Sequence, residues 1–193
     1  GPTASGKTRL AIDWAKKLNT EIINADSRQI YQELNIGVAR PSVDELAEVP
    51  HHLIASHSIH EPVNAWQYAQ EARKIAQDVI ERFGHVVVCG GTGLYMDALV
   101  NGLDELPPIP QTKRDELSTL SKLPDGLNLL VTRLLEQDKS AENWVELSNP
   151  ARVIRALELI ETSGKSLEEL RIKSNEPPNP ISYTWECFAL DLN

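Results

Sequence analysis

The stretch Gly1-Pro2-Thr3-Ala4-Ser5-Gly6-Lys7-Thr8 opens the chain, and its reading decides the fold. It satisfies G-x-x-x-x-G-K-[ST], in which backbone N–H groups, a helix N-terminus and one ammonium surround a phosphate chain. Such a loop must run directly into a helix. Here Leu10, Ala11, Trp14, Ala15 and Leu18 recur at helical spacing, which predicts a helix over Lys7 to Leu18. On this reading Gly1, Thr3, Ala4, Ser5, Gly6, Lys7 and Thr8 wrap a di- or triphosphate, and the Thr8 hydroxyl is offered to Mg²⁺. A loop of this kind follows a buried strand, and nothing precedes Gly1, so the chain is expected to lack the first core strand.

Outward from the loop, Glu21 to Ala25 reads as a short buried strand ending at Asp26-Ser27-Arg28-Gln29. Asn35 to Glu61, with Gly37, Pro41 and Pro50, reads as an ordered loop with short helical pieces. Asn64 followed by Gln67 forms a capping box, and Ala69, Ala72, Ala76, Val79 and Phe83 continue at three-four spacing to a terminating Gly84. His85-Val86-Val87-Val88-Cys89 is an apolar, β-branched run predicted to be a central parallel strand, and it stops at Gly90-Gly91-Thr92-Gly93. Strands alternating with helices, each strand ending in a glycine-rich or polar loop, predict an α/β fold: a P-loop NTPase-like, doubly wound parallel sheet with its site at the strand C-termini.

Beyond Leu103 the texture changes. Helical segments around Thr112 to Leu120, Gly126 to Leu135 and Asn149 to Glu161, with Gly164 as a helix C-cap, have no strands between them. Residues 1–103 are therefore read as the phosphate-binding core, 104–180 as a helical insertion, and 181–193 as the core's return, with a strand over Tyr183 to Leu190.

Apolar residues make up 41% of the 193 and charged residues 24%, and no apolar run approaches the roughly 18 residues of a membrane-spanning helix. The net charge of −9 weighs against general nucleic-acid binding and confines any RNA contact to a local patch. Cys89 and Cys187 lack metal-like spacing and read as two buried free thiols of a reducing compartment. His51, His52, His57 and His60 cluster, but their spacing matches no common zinc site.

The phosphate loop does not say what is done to the phosphate. A kinase or ATPase would place an acidic residue at the end of an apolar strand to organise Mg²⁺, whereas Val86 to Cys89 ends in glycines. Asp26, at the other strand end, can accept a proton, ligate Mg²⁺ or simply cap its own turn. Arg152 and Arg155 share one helical face, which is either a solvated face or a pair gripping RNA phosphates.

Several segments together resemble the bacterial tRNA dimethylallyltransferases, also called tRNA isopentenyltransferases. They are the loop GPTASGKT, Ala25 to Tyr31 with Asn35-Ile36-Gly37, His51-His52-Leu53, Gly90 to Tyr95, and Arg152 to Glu158. The resemblance implies transfer of a dimethylallyl group from dimethylallyl diphosphate to the N6 amine of the adenosine beside a tRNA anticodon. The phosphate loop, Lys7 and Mg²⁺ on Thr8 would then stabilise a departing diphosphate, and Asp26 would be the general base. Asp26, Ser27, Arg28 and Gln29 would contact the target adenosine and Thr92 would assist there, while Arg114 and Ala151 to Arg155 in the insertion would face the anticodon stem-loop. The family carries a histidine-proline or similar pair before the Arg152 helix, where this chain has Glu146-Leu147-Ser148-Asn149-Pro150, and it continues well past Phe188. The chain is thus expected to be an incomplete, poorly active piece of a monomeric cytoplasmic enzyme. Rival expectations are an adenylate isopentenyltransferase acting on free nucleotide, a small-molecule P-loop kinase, and a non-catalytic nucleotide-binding module.

Overall fold

The computed structural model describes residues 5–103, 106–173 and 183–190. The chain divides into two compact units, Gly1–Leu103 with Asn179–Asn193 and Asp104–Pro178.

In the first unit, α1 (Lys7–Leu18) starts at Gly6, whose φ of 80° is a left-handed conformation that glycine adopts without strain. Its apolar stripe buries Ala11, Ile12 and Ala15. The chain then forms β1 (Ile22–Asn24), α2 (Val43–Glu48) and β2 (His51–His52), followed by α3 (Ala65–Phe83), β3 (Val87–Cys89) and α4 (Gly93–Asn101). Both halves of the expected capping box begin α3: the Asn64 side chain accepts from the Gln67 N–H, and the Gln67 side chain accepts from the Asn64 N–H. A left-handed Gly84 ends the same helix.

The three strands form one parallel sheet in the order β2-β1-β3, with Ile22 opposite both His51 and Val87, and Asn24 opposite Cys89. Successive side chains of a strand point to opposite faces. Accordingly Ile22 packs with Ile12, Ala15 and Val87 under α1, while Ile23 packs with Ile30, Tyr68, Tyr95 and Leu99 under α3 and α4. A strand with helices on both faces cannot afford polar side chains along its length; the buried Asn24 amide is the exception and donates to two carbonyls.

Four expectations are corrected in this unit. Among the described residues β1, not β3, is the middle strand, and all three β1 residues are buried whereas β3 buries only Val87. The stretch 35–61, expected to be loop and short helix, also contributes β2, a strand of two residues and too short to leave a periodic signal. Residues 183–190 form no strand. They are held by aromatic side chains instead of a ladder, with Trp185 packed on the α3–α4 core and Phe188 edge-on to Trp14 at 4.7 Å between centroids. Cys187 in this stretch is exposed, not buried, while Cys89 is half-buried.

The second unit is helical: α5 (Gln111–Ser121), α6 (Gly126–Gln137), a 3₁₀ turn (Lys139–Asn143), α7 (Pro150–Ser163) and α8 (Leu167–Lys173). Asn149 caps α7, its side chain accepting from the N–H groups of Ala151 and Arg152, with Pro150 in the first turn and Gly164 closing the helix. Leu117, Leu130, Leu134, Val153, Ala156 and Leu157 form a core of its own. Among the described residues no helix is long and apolar enough to cross a membrane.

Candidate active site

In a parallel sheet the strand C-termini all open on one edge, and the loops there are stitched together by backbone bonds. The Ala25 N–H donates to Cys89 O at 2.8 Å and the Thr92 N–H donates to Ala25 O at 3.1 Å. This fixes the β1 exit against the glycine loop so closely that a Cβ on Gly90 would lie 2.1 Å from Ala25 O. Only glycine fits there, because a backbone carbonyl cannot step aside.

Asp26 leaves β1 at this junction. Its Oδ1 accepts from the N–H groups of Arg28 at 2.9 Å and Gln29 at 3.3 Å, so the carboxylate does cap its own turn. The second oxygen, Oδ2, takes no part in that turn and faces Gly91, where an added Cβ would sit 3.7 Å away. The buried Asn24 amide donates to Asp26 O at 3.2 Å and to Leu53 O at 2.8 Å, which holds the turn from beneath. Thr92 begins α4 without capping it. Its Oγ1 instead accepts from the Ser27 N–H at 2.9 Å and donates to Ser27 Oγ at 3.1 Å, locking the Asp26 turn to the glycine loop.

Ser5, Gly6, Lys7 and Thr8 line a cavity of about 390 Å³ together with Asp26, Arg28 and Gln29. That volume suits a small-molecule ligand. Lys7 Nζ lies 3.5 Å from Ser5 Oγ. Gly1, Thr3 and Ala4 of the expected phosphate loop lie outside the described residues.

The sequence reading missed part of this cavity. Gly37, Val38, Ala39 and Pro41 form another part of its lining. That stretch is held by Gln29 Nε2, which donates to Ala39 O at 2.8 Å, and by Arg40, which donates to Tyr31 O at 2.6 Å and Leu34 O at 3.0 Å. No periodicity marks such a clamp; only the Gly37 and Pro41 punctuation hinted at an ordered loop. His51 and Cys89 also line the cavity. Burial holds the His51 imidazole below its usual range, and its Nδ1–H donates to Val49 O at 2.7 Å. Burial pushes the Cys89 thiol up, against the opposing pull of Lys7. Of the other histidines, His52 meets Glu21 at 2.6 Å and His57 meets Glu71 at 3.1 Å.

In the helical unit, Arg114, Arg152 and Arg155 are exposed and each faces a carboxylate: Arg114 and Arg155 face Glu158, and Arg152 faces Glu146. The basic side chains expected to meet RNA are thus ion-paired.

The fold and cavity define an α/β protein with a small parallel sheet that opens a ligand-sized cavity at its strand C-termini. The family model described as IPP transferase matches residues 29–193, and the chain belongs to that family. It is 44% identical over 193 residues to the tRNA dimethylallyltransferase of Chlorobium chlorochromatii, covering 100% of this chain and 61% of that protein. It is 40% identical over 177 residues to the tRNA dimethylallyltransferase of Chlorobium phaeobacteroides, covering 92% and 55%. The chain therefore spans little more than half the length of the curated relatives it matches. Among solved structures, it resembles a eukaryotic dimethylallyltransferase acting on tRNA, with a TM-score of 0.70, 28% identity and coverage of 92% of this chain and 43% of that one. It also resembles the tRNA delta(2)-isopentenylpyrophosphate transferase of Staphylococcus epidermidis, with a TM-score of 0.51, 33% identity and coverage of 93% and 59%.

Proposed function

We propose that the whole protein transfers a dimethylallyl group from dimethylallyl diphosphate to the N6 amine of the adenosine beside a tRNA anticodon, releasing diphosphate. The observation that carries this reading is the single cavity joining Ser5 to Thr8, the phosphate-loop residues, with Asp26 at a strand end. A phosphate cradle next to a carboxylate suits a reaction in which a diphosphate departs while a nitrogen loses a proton.

In that reaction the amine lone pair attacks the allylic carbon, the carbon–oxygen bond to diphosphate breaks, and its electron pair leaves with the diphosphate. Lys7, Ser5, the loop N–H groups and the N-terminus of α1 stabilise the charge growing on the leaving group. Asp26 accepts the amine proton at Oδ2 while Oδ1 stays bonded to the turn. Ser27, Arg28, Gln29 and Thr92 hold the adenine, and the Thr92–Ser27 pair keeps the Asp26 turn from shifting. The Thr8 hydroxyl on the cavity wall is a hard oxygen donor that would hold Mg²⁺ beside the diphosphate, and Mg²⁺ would neutralise diphosphate charge when bound. In the same reading the small sheet is part of a doubly wound P-loop core, Arg114, Arg152 and Arg155 face the anticodon stem-loop, and the protein is a cytoplasmic monomer.

The test is incubation of the whole protein with an anticodon stem-loop RNA and either dimethylallyl diphosphate or ATP. Prenylated adenosine and released diphosphate are expected with the first and no phosphoryl transfer with the second. Consumption of ATP with the prenyl donor left intact would sink the proposal.

A further inference from the structure

Glu158 is an acid where an RNA-facing helix should not need one. It lies on α7 beside the fully buried Leu157, and the residue is only 7% exposed. Its two oxygens are divided between two helices. Oε2 accepts from Arg155 Nη1 of α7 at 2.9 Å, and Oε1 faces Arg114 Nε of α5 at 3.8 Å. The two arginine side chains stay outward, 44% and 51% exposed.

Stability does not account for this acid. Exposed arginine partners add on the order of 0–1 kcal/mol each, and a buried ion pair exchanged whole for well-packed apolar side chains is often no less stable. What the buried carboxylate does supply is geometry. Arginine side chains carry large rotamer freedom, and an anchor reached from two helices removes much of it before a ligand arrives. With one edge of each guanidinium turned to Glu158, other N–H groups remain directed outward, in the planar fork that matches phosphate oxygens.

We infer that Glu158 is a positioning residue that presets Arg114 and Arg155 as a paired clamp for the phosphate backbone of the RNA substrate. The inference rests on the proposed tRNA role of α5 and α7. It makes a prediction opposite to that of simple charge counting. Removing a negative charge from an RNA-facing surface should tighten binding if net charge alone matters. If Glu158 positions the clamp, removing it should weaken binding.

The experiment is equilibrium binding of an anticodon stem-loop RNA to the whole protein across a salt series, with steady-state prenyl transfer alongside. E158Q is expected to lower affinity by about three- to tenfold, with the loss falling on KM for RNA and not on kcat. R155K keeps the charge, loses the fork and sits at an exposed position where folding is not at stake, and it should weaken binding to a similar extent. In an R114A/R155A background, E158Q should cost nothing further. Unchanged or tighter binding by E158Q, or parent-like binding by R155K, overturns the inference. If R114A/R155A weakens binding but E158Q does not, the positioning role falls and the tRNA reading stands. If R114A/R155A binds as the parent does, the tRNA role of these helices falls and takes the inference with it.

Discussion

In the proposed reaction Asp26 divides its two oxygens between two tasks, capping its own turn and accepting the amine proton, and the division can be tested by substitution. Asn keeps an oxygen able to accept from the N–H groups of Arg28 and Gln29 but cannot take a proton at the other position. Asp26→Asn should therefore melt within about 1 kcal/mol of the parent, while single-turnover prenyl transfer drops about 10²–10⁴-fold. Asp26→Ala should lose the turn as well, at a further cost of about 1 kcal/mol. Parent-like transfer by the Asn variant would leave the carboxylate with its capping role alone. Gly90 tests the junction from the other strand. Because an added Cβ meets Ala25 O at 2.1 Å, Gly90→Ala must push β1 and β3 apart at the site. It should cost about 2–4 kcal/mol in a denaturant melt and reduce transfer together with stability. A variant that melts like the parent would show that the junction can open.

At the scale of elements, the ends legible in the sequence were those written by side chains. Asn64 and Gln67 set the start of α3 and Gly84 its end; Lys7 to Leu18 was legible because its apolar residues recur over three turns. The strands were harder. β1 and β3 were visible as apolar runs, but β2 is two histidines whose strand character comes from the β1 edge they meet. The aromatic residues of 183–190 mimicked a strand because Trp185 and Phe188 dock on the first unit as isolated anchors. In the helical unit α5, α6 and α7 were legible, whereas α8 and the cross-links between helices were not, since an ion pair between helices leaves no periodic trace. Glu161 of α7 shows this: Lys113 of α5 and Arg133 and Gln137 of α6 all reach its carboxylate, at 2.7–2.9 Å. Burial alone would raise the Glu161 pKa, but the bonds from Gln137, Lys113 and Arg133 outweigh it and hold the group down at about 2 against an ordinary 4.5. A depressed carboxylate contributes stability that is complete above its unfolded value and lost as pH falls through the folded one. The helical unit should therefore lose stability between pH 4.5 and about 2. Glu161→Gln should cost about 2 kcal/mol at neutral pH and flatten the acid dependence in that window, as read by helical circular dichroism against pH. An unchanged acid profile would mean that the network contributes no linkage.

At the scale of the whole molecule, the sequence placed the change of texture near Leu103, and the structure gives each side of it a separate core. One unit buries Ile12, Ile22, Ile23, Tyr68 and Leu99 around its sheet; the other buries Leu117, Leu130, Leu134 and Leu157 among its helices. Among the described residues none belongs to both, so a cavity cut into one core removes contacts from that core alone. Leu134 is fully buried in the helical unit. Leu134→Ala should destabilise that unit by about 2–5 kcal/mol. Among the described residues the cavity's lining comes from the sheet unit, from Ser5 to Gly91. Titration calorimetry of the Leu134→Ala variant at a temperature below its melt should therefore give the parent's affinity for diphosphate. Calorimetric unfolding should show one transition moved down and the other in place, because additivity holds between sites that share no partners. If both transitions moved together, or if diphosphate affinity fell with the helical core, the two cores would form one cooperative unit, and the integrity of the cavity would depend on that of the helices.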